Sequence, residues 1–425
     1  MEHTGVTTTE TVVKPLEHEV EITGWRRTFI SLAIRDYRWY FIGMLASTAG
    51  MQIQIVARGW LVWEMTGSAA ALGIITFASG VPMTFLSLVG GVVADRVQKR
   101  NLLMAADGFV GLVSLITALL IAFDLIELWH LIAAAVSTGI AFAFKMPGRQ
   151  AFLPELAGEK HLMNAVALNS AGMNFTRIAV PGIAGVLIGV IGVANTYFLI
   201  VVGYVLAVSA VLMIPASRSA IPKLKGRAFS QFAEGIRYIK RSEVIPILLG
   251  FEIIVVFFAM QYQTLMPVFA DKVLGVGASG MGFMYSAVGI GGLIGSLFVA
   301  SLGDFRRRGL LLVGAAASCG ALLILYSAAG IFYPALVLLA LVGLANMIYN
   351  ATNNTVLMSN TNQEVRGRVM SVYLMGFGLQ PLGALPMGAV ADAIGAPLTV
   401  GIGSGVLLLF SLGMAVVKPK LRRLE

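Results

Sequence analysis

Charged side chains inside long apolar stretches are the groups in this sequence most able to do chemistry. Asp107 and Glu252 are carboxylates in such stretches, and Arg58 and Arg177 are cations in two others. A charge surrounded by hydrocarbon costs about 3 kcal/mol unless it is paired or faces a cavity. A poorly solvated carboxyl group also binds a proton more readily than one in water. Asp107 and Glu252 are therefore candidate proton carriers, unless they reach the nearby interface and are solvated there.

Arg177 lies on a polar stripe in an otherwise apolar stretch. Ser170, Asn174, Arg177 and Pro181 fall at intervals of four, three and four residues, which places them on one face of a helix. We expect Arg177 to contact a solute or to take part in coupling; the alternative is a structural ion pair between helices. Arg58 lies near the end of its own stretch, where a structural or gating role is expected.

Amide side chains form a second group of candidates, because they can hydrogen-bond a polar solute or join neighbouring helices. One stretch carries a row of asparagines at helical spacing, and three others carry glutamines near their middle. The asparagines are Asn346, Asn350, Asn353 and Asn354, and the glutamines are Gln52, Gln54, Gln261, Gln263 and Gln380.

The elements that must position these residues are membrane-spanning helices. Hydrophobic residues make up 58% of the 425 and charged residues only 12%, whereas a soluble domain carries about 25% charge. Twelve apolar stretches each approach the roughly 20 residues that cross a bilayer. The sequence therefore predicts an all-α integral membrane protein with spans near 39–63, 70–94, 101–123, 128–146, 163–190, 194–215, 246–270, 279–302, 309–329, 334–358, 367–392 and 396–417.

The placement of positive charge predicts the topology. Almost all of the 30 Lys and Arg residues fall in alternate connections, and Lys272 alone falls in the others, which is the positive-inside pattern and puts both termini in the cytoplasm. This distribution argues against nucleic acid as the reason for the net charge of +9. The single Cys319, the scattered histidines and the lack of a P-loop or nucleophile–base pattern predict no metal, no cofactor and no enzyme activity.

A repeat divides the chain into halves. The glycine–acid–basic segment 91–100 (GVVADRVQKR) recurs loosely at 300–309, and Asp304 follows Asp95 by about half the chain. We predict a tail and surface helix over 1–37, six-helix bundles over 38–215 and 246–417, a linker with an amphipathic helix over 216–245, and a tail over 418–425. Charge-paired gates are expected at the repeated loops and at a later basic segment, formed by Gly91, Asp95, Arg96, Arg100, Asp304, Arg306, Arg308 and Arg366.

Several stretches resemble the major facilitator superfamily, over essentially the whole chain. Segment 91–100 resembles the signature loop between its second and third helices, and residues 177–185 resemble the antiporter signature of its fifth. Segments 57–62 (ARGWLV), 152–156 (FLPEL) and 366–373 (RGRVMSVY) are similar to the branch that contains enterobactin exporters and macrolide efflux proteins.

The resemblance implies a fold, a location and an activity. It implies two pseudo-symmetric six-helix bundles in the bacterial inner membrane, with helices one, four, seven and ten around a central cavity. Asp95 would face the start of helix eleven and hold the cytoplasmic side shut, and Asp304 would do the same against helix five. We expect a monomer that exports a small amphipathic or apolar compound, with protons as the coupling ion. The alternatives are uptake or lysophospholipid movement by the same fold, or a membrane sensor or scaffold that transports nothing.

Overall fold

Apolar helices joined by short turns make up the computed structural model, which describes residues 29–216, 237–303, 305, 307–363 and 365–418. No β-strand occurs within those ranges. The predicted all-α class is therefore confirmed. Asp304, Arg306, both chain ends and most of the predicted linker helix lie outside the described residues; within the linker, residues 237–241 are helical.

The first half begins with a 3-10 turn, Ile30–Ala33, followed by α1 (Arg35–Thr66), α2 (Ala69–Arg96) and α3 (Lys99–Ala122). A continuous helical stretch, Leu128–Leu212, then contains two breaks, at Gly158 and Gly192. Their φ angles of 65° and 80° lie in the left-handed region, which glycine adopts without steric cost. The breaks divide the stretch into α4 (128–157), α5 (159–191) and α6 (193–212).

The second half contains two helices that are interrupted. The first, α7, runs from Ile245 to Val273 and changes from α to π geometry at Val255–Ala259, with a 3-10 turn at Met260–Gln263. α11 (Arg366–Phe377) and α12 (Gln380–Ile394) are separated by Gly378 and Leu379. The remaining helices are α8 (Gly277–Ser301), α9 (Arg308–Ser327), α10 (Phe332–Ser359) and α13 (Ala396–Val417).

The helices are long enough to span a bilayer. Nine stretches in the described chain have the length and apolarity of a membrane span, and one of them is Leu128–Leu212, which its two glycines divide into three. The predicted spans one to ten coincide with α1 to α10, the eleventh with α11 and α12, and the twelfth with α13. The count of twelve spans stays a prediction.

The two halves pack against each other at one end of the bundle. We call this end the opposite face; it contains the turns at Gly67, Asp124, Gly192, Gly275 and Gly395. We call the other end, which contains the basic connections, the basic face. Close contact depends on glycine. Gly185 of α5 and Gly282 of α8 pack so closely that a Cβ on either would lie 2.9 Å from the other's Cα. On the other side of the bundle, a Cβ at Gly73 of α2 would lie 2.5 Å from the Ala384 carbonyl of α12.

Candidate functional site

A cavity of about 650 Å³ lies between α5 of the first half and the helices of the second half. It brings together many of the polar residues that the sequence singled out. The resemblance placed helices one, four, seven and ten around the cavity. Of these, α7 and α10 line it, but α1 and α4 do not, so the expectation was wrong for those two helices. The other helices on the wall are α5, α8, α11 and α12. The predicted residues on its wall are Asn174, Arg177, Glu252, Gln263, Asn346, Asn350, Asn354 and Gln380.

Glu252 is the carboxylate of this cavity, and its side chain is only 1% exposed. Oε2 accepts hydrogen bonds from the Tyr349 hydroxyl at 3.1 Å and from Asn353 Nδ2 at 3.2 Å. Oε1 is buried without a hydrogen-bond partner among the described residues. The carboxylate is thus held by two neutral donors of α10, with no cation beside it. Asn353, predicted as part of the cavity row, binds Glu252 instead.

Arg177 is the cation of the same cavity. It projects from α5 and is exposed, one helical turn beyond Asn174. No described carboxylate lies within ion-pair distance of it. The structural alternative, an ion pair between helices, is therefore absent from this arrangement.

Asp107 lies apart from the cavity, in a buried cluster within the first half. Lys145 of α4 donates to Asp107 of α3 and to Ser47 of α1, and the Ser47 hydroxyl donates to the same carboxylate at 2.9 Å. Both charged side chains are almost fully buried, at 2% and 6% exposure. The alternative of a carboxylate solvated at the interface is wrong for Asp107, because its charge is compensated by Lys145.

Arg149 extends this cluster one turn further along α4. Its guanidinium donates to the Met44 carbonyl at 3.0 Å and to the Thr48 hydroxyl at 3.1 Å, both on α1. The sequence pattern places Lys145 and Arg149 among the positive charges of the cytoplasmic connections. That placement is wrong, because both side chains are buried within α4.

The remaining polar candidates in the helices have structural contacts. Gln54 donates to the Ser114 hydroxyl at 3.4 Å, which joins α1 to α3. Gln261 donates to the carbonyls of Val256 and Gln380, both at 3.0 Å, and these lie at the interruptions of α7 and of α11–α12. The amide thereby links the π segment of α7 to the start of α12. Arg58 has a buried Nη1 with no hydrogen-bond partner among the described residues.

On the basic face, the candidate gating residues of the first half make contacts inside that half. Arg100 donates to the carbonyls of Val211 and Leu212 at the end of α6, and Lys99 pairs with Glu155 at 2.6 Å. No described residue forms a hydrogen bond or ion pair with Asp95, and a Cβ at Gly91 would meet open space. The expected contact between Asp95 and the start of α11 is not formed in this arrangement.

The other gating candidates are distributed differently. Arg366 donates to the Thr361 carbonyl at 3.4 Å, within the second half. Arg308 has an interaction partner, and Arg96 is exposed at the end of α2. Asp304 and Arg306 lie outside the described residues, so their predicted roles stay predictions.

On the opposite face, a carboxylate of the second half caps a helix of the first. Asp392 of α12 accepts from the backbone N–H groups of Ala69 and Ala70 at 2.6 and 3.0 Å, and from the Ser68 hydroxyl at 2.6 Å. Unpaired N–H groups and the helix dipole favour a negative charge at this position. A further contact between halves joins Trp63 Nε1 to Asp271 at 3.0 Å.

An apolar crevice of about 270 Å³ lies between α2 and the interrupted helices. Val81 and Phe85 of α2 face Ile253 and Leu382 across it, and Glu252 forms part of its wall. Glu252 therefore borders both the polar cavity and an apolar opening. Within the part of the chain that the structure describes, no group of His, Cys, Asp and Glu could hold a metal ion.

Comparison with known proteins decides the family. A family model described as "transmembrane secretion effector" matches residues 27–425. This chain belongs to the transmembrane secretion effector family. The resemblance to the major facilitator superfamily and to its exporter branch is thereby confirmed.

Three relatives are similar to this chain along most of its length. It is 27% identical to the staphyloferrin A transporter of Staphylococcus aureus, over 86% of this chain and 92% of the relative. It is 27% identical to the multidrug efflux pump Tap of Mycolicibacterium fortuitum, over 90% and 95%. It is 26% identical to the enterobactin exporter EntS of Escherichia coli, over 87% and 85%. The relatives are transporters and not enzymes.

Solved structures confirm the fold. The nucleoside transporter NupG matches with a TM-score of 0.71 at 14% identity, over 90% of this chain and 99% of that one. A bacterial homologue of the human lysosomal transporter Spinster, inward-facing and unoccupied, matches with a TM-score of 0.66 at 14% identity, over 94% and 97%. Together with the family and the relatives, this makes the chain a multi-pass membrane transporter of the major facilitator type.

Sequence reasoning missed the roles of two residues. Lys145 lies inside the predicted span 128–146, and this was the available sign that its charge is buried and paired. Asp392 carries no such sign, because its partners at the start of α2 precede it by more than 300 residues.

Proposed function

We propose that this chain is a secondary active exporter that moves a small organic compound out of a bacterium by alternating access, driven by proton influx. It would cross the inner membrane twelve times as a monomer, with both termini in the cytoplasm. The basic face would then be cytoplasmic, in agreement with the positive-inside distribution of Lys and Arg.

The observation that carries the proposal is a polar cavity together with contacts that, in the described part of the chain, join the halves toward the opposite face. Asp392, the Trp63–Asp271 bond and the glycine contacts join the halves at the opposite face. At the basic face, Asp95 has no partner from the second half among the described residues. Rocking of the halves would break the first set of contacts and bring Asp95 to the start of α11, which turns the cavity outward.

Glu252 is the proton carrier in this proposal. Asp107 has a buried cation beside it, so its charge is already compensated. Glu252 has neutral partners and lies on the cavity wall. A solute entering from the cytoplasm would displace its proton, and a proton from the outside would replace the solute after release. The names of the relatives, an efflux pump and a siderophore exporter among them, support export.

A second candidate function is lipid movement. The apolar crevice beside Glu252 would suit an acyl chain, with the headgroup in the polar cavity. Lysophospholipid movement or uptake by the same fold therefore remains the alternative, and it is an outcome of the same experiment.

The test uses everted membrane vesicles whose acidified lumen is reported by a pH-quenched dye. A macrolide, a lipophilic cation, a catecholate siderophore and a lysophospholipid are added one at a time. Dequenching by one class, lost in Glu252→Gln vesicles with equal protein content, supports proton-driven export and names the chemistry. Glu127→Gln is the matched control, because it is the same substitution at an exposed carboxylate outside the cavity. Dequenching that survives in Glu252→Gln vesicles contradicts the role of Glu252 as proton carrier. If none of the four compounds causes dequenching, proton-driven export of these four classes is contradicted.

A further inference from the structure

The polar cavity contains one positive and one negative side chain, from different halves of the protein. Among the described residues on its wall, Arg177 and Glu252 are the charged ones. The others are apolar, or carry amide or hydroxyl groups. Once Glu252 has released its proton, the charges on the wall balance in sum, and the two side chains that carry them are not paired with each other.

Neither charge has a counter-ion of its own. Arg177 has no carboxylate within ion-pair distance among the described residues, and the cation of the Asp107 cluster belongs to another part of the bundle. Glu252 accepts only from neutral donors and has one buried oxygen without a partner. At membrane depth an uncompensated charge attracts an opposite charge strongly, even without direct contact, because little water screens it.

The rest of the wall is uncharged and combines apolar side chains with neutral hydrogen-bonding groups. Asn346 and Asn350 of α10 are bonded to each other at 2.9 Å, and Asn354 continues the row. Amides donate and accept, so they favour neither sign of charge. An anion would bind Arg177 but offer no amine to replace the proton of Glu252, and a cation would leave Arg177 uncompensated.

We infer that the substrate is an amphoteric organic solute, with an acidic group for Arg177 and an amine for Glu252. The inference rests on the proposed function and names the substrate class of the same cavity. It differs from the amphipathic or apolar class that the sequence led us to expect. Lipophilic monocations and purely anionic solutes would be the weaker ligands.

The amine would also explain how substrate and proton compete. An ammonium group beside Glu252 stabilises the ionised carboxylate, so the proton leaves as the solute binds. The groups that face Glu252 are the Tyr349 hydroxyl and Asn353 of α10 and Tyr373 of α11; Arg177 of α5 shares the cavity. Of these, only Arg177 carries a permanent charge, and the acidic group of the solute would neutralise it.

The experiment uses one skeleton in three charge forms. Phenylalanyl-glycyl-glycine is amphoteric, its N-acetyl form is an anion, and its C-terminal amide is a cation. Binding to the purified full chain in nanodiscs is measured by calorimetry, in two buffers of different ionisation enthalpy, so that proton release is counted as well. The chain is compared with Arg177→Gln and Glu252→Gln, and with Lys99→Gln as a control charge outside the cavity.

We expect the free tripeptide to bind, and capping either end to weaken binding about tenfold to a hundredfold, the worth of a charged hydrogen bond. In Arg177→Gln the free and amidated forms should bind alike, because the acid has lost its partner. In Glu252→Gln the free and acetylated forms should bind alike, and proton release should disappear. A merely structural role for either residue would weaken all three forms equally.

Two results would overturn the inference: no form binds, or a capped form binds as tightly as the free tripeptide. Its failure is distinguishable from failure of the proposed function. If a singly charged compound drives proton movement in vesicles without this charge preference, export stands and the substrate class is wrong. If the charge preference holds but no proton is released, the amphoteric site stands and proton coupling is wrong.

Discussion

Replacing Asp392 by asparagine should shift the protein toward the state that is open at the opposite face. The carboxylate receives three hydrogen bonds from the first turn of α2 and its cap, at 2.6, 2.6 and 3.0 Å. Asparagine keeps the shape and one acceptor oxygen but loses the charge. The substitution therefore removes an attraction that exists only while α2 and α12 are together.

The size of the effect follows from the contacts that are lost. A capping interaction is worth about 1 kcal/mol, and a charge at a helix N-terminus about 0.3–1 kcal/mol at an exposed site. Asp392 is exposed, so solvent weakens the interaction and the lower values apply. A total of about 1–2 kcal/mol corresponds to a shift of about five- to thirtyfold in the equilibrium between the two states.

The assay measures the distance across the opposite face by electron paramagnetic resonance. Spin labels are attached at Leu125→Cys in the first half and Ile331→Cys in the second, both on exposed side chains. The buried Cys319 is replaced by alanine in all variants. Glu127→Gln is the matched control, because Glu127 caps α4 of its own half on the same face.

A longer second distance should gain population in Asp392→Asn and not in Glu127→Gln. Equal distance distributions in the parent chain and Asp392→Asn would refute the reasoning that this carboxylate holds the opposite face closed. A change of the same size in Glu127→Gln would show that any loss of charge at this face has the effect.

Three further substitutions test the other parts of the structure. Asp107→Asn leaves Lys145 buried and unpaired, so the free energy of unfolding, measured by thermal unfolding, should fall by about 3–5 kcal/mol. The double variant Asp107→Leu/Lys145→Met should stay near the parent. An equal loss in both variants would contradict the ion pair. Gly282→Val would place side-chain atoms against the Pro181 carbonyl and Gly185, and so would push α8 away from α5. The longer distance between the spin labels should then dominate, and transport should stop. Normal transport would contradict a closed packing of α5 on α8. Glu252→Gln should remove the pH dependence of solute binding while binding itself persists, as measured by calorimetry at two pH values; an unchanged pH dependence would place the titrating group elsewhere.

The sequence predicted those features that depend on local pattern. Apolar length predicted the helices, and helical spacing placed Asn174 and Arg177, and Asn346, Asn350 and Asn354, on faces that line one cavity. Spacing along a helix is fixed by 3.6 residues per turn, so it can be read without knowing the fold.

What the sequence could not supply was the pairing between distant segments. Asp107 has the same local pattern as Glu252, a carboxylate in an apolar stretch, yet one has a lysine partner and the other does not. Lys145 lies near the end of the span predicted over 128–146, but α4 continues past it to Gly158, so Lys145 is well inside the helix. Gly91 was predicted as a gating residue, yet a Cβ there would meet open space, whereas a Cβ at the neighbouring Gly90 would collide with the Ala143 carbonyl of α4.

The buried pair of Asp107 and Lys145 has a consequence for how the chain enters the membrane. α3 and α4 are consecutive in the chain, and each carries a charge that would cost about 3 kcal/mol if its helix entered the bilayer alone. The pair joins the two helices as a hairpin, in which the two charges compensate each other. We therefore expect the insertion machinery to release α3 and α4 together, with α3 retained beside it until Lys145 has been synthesised.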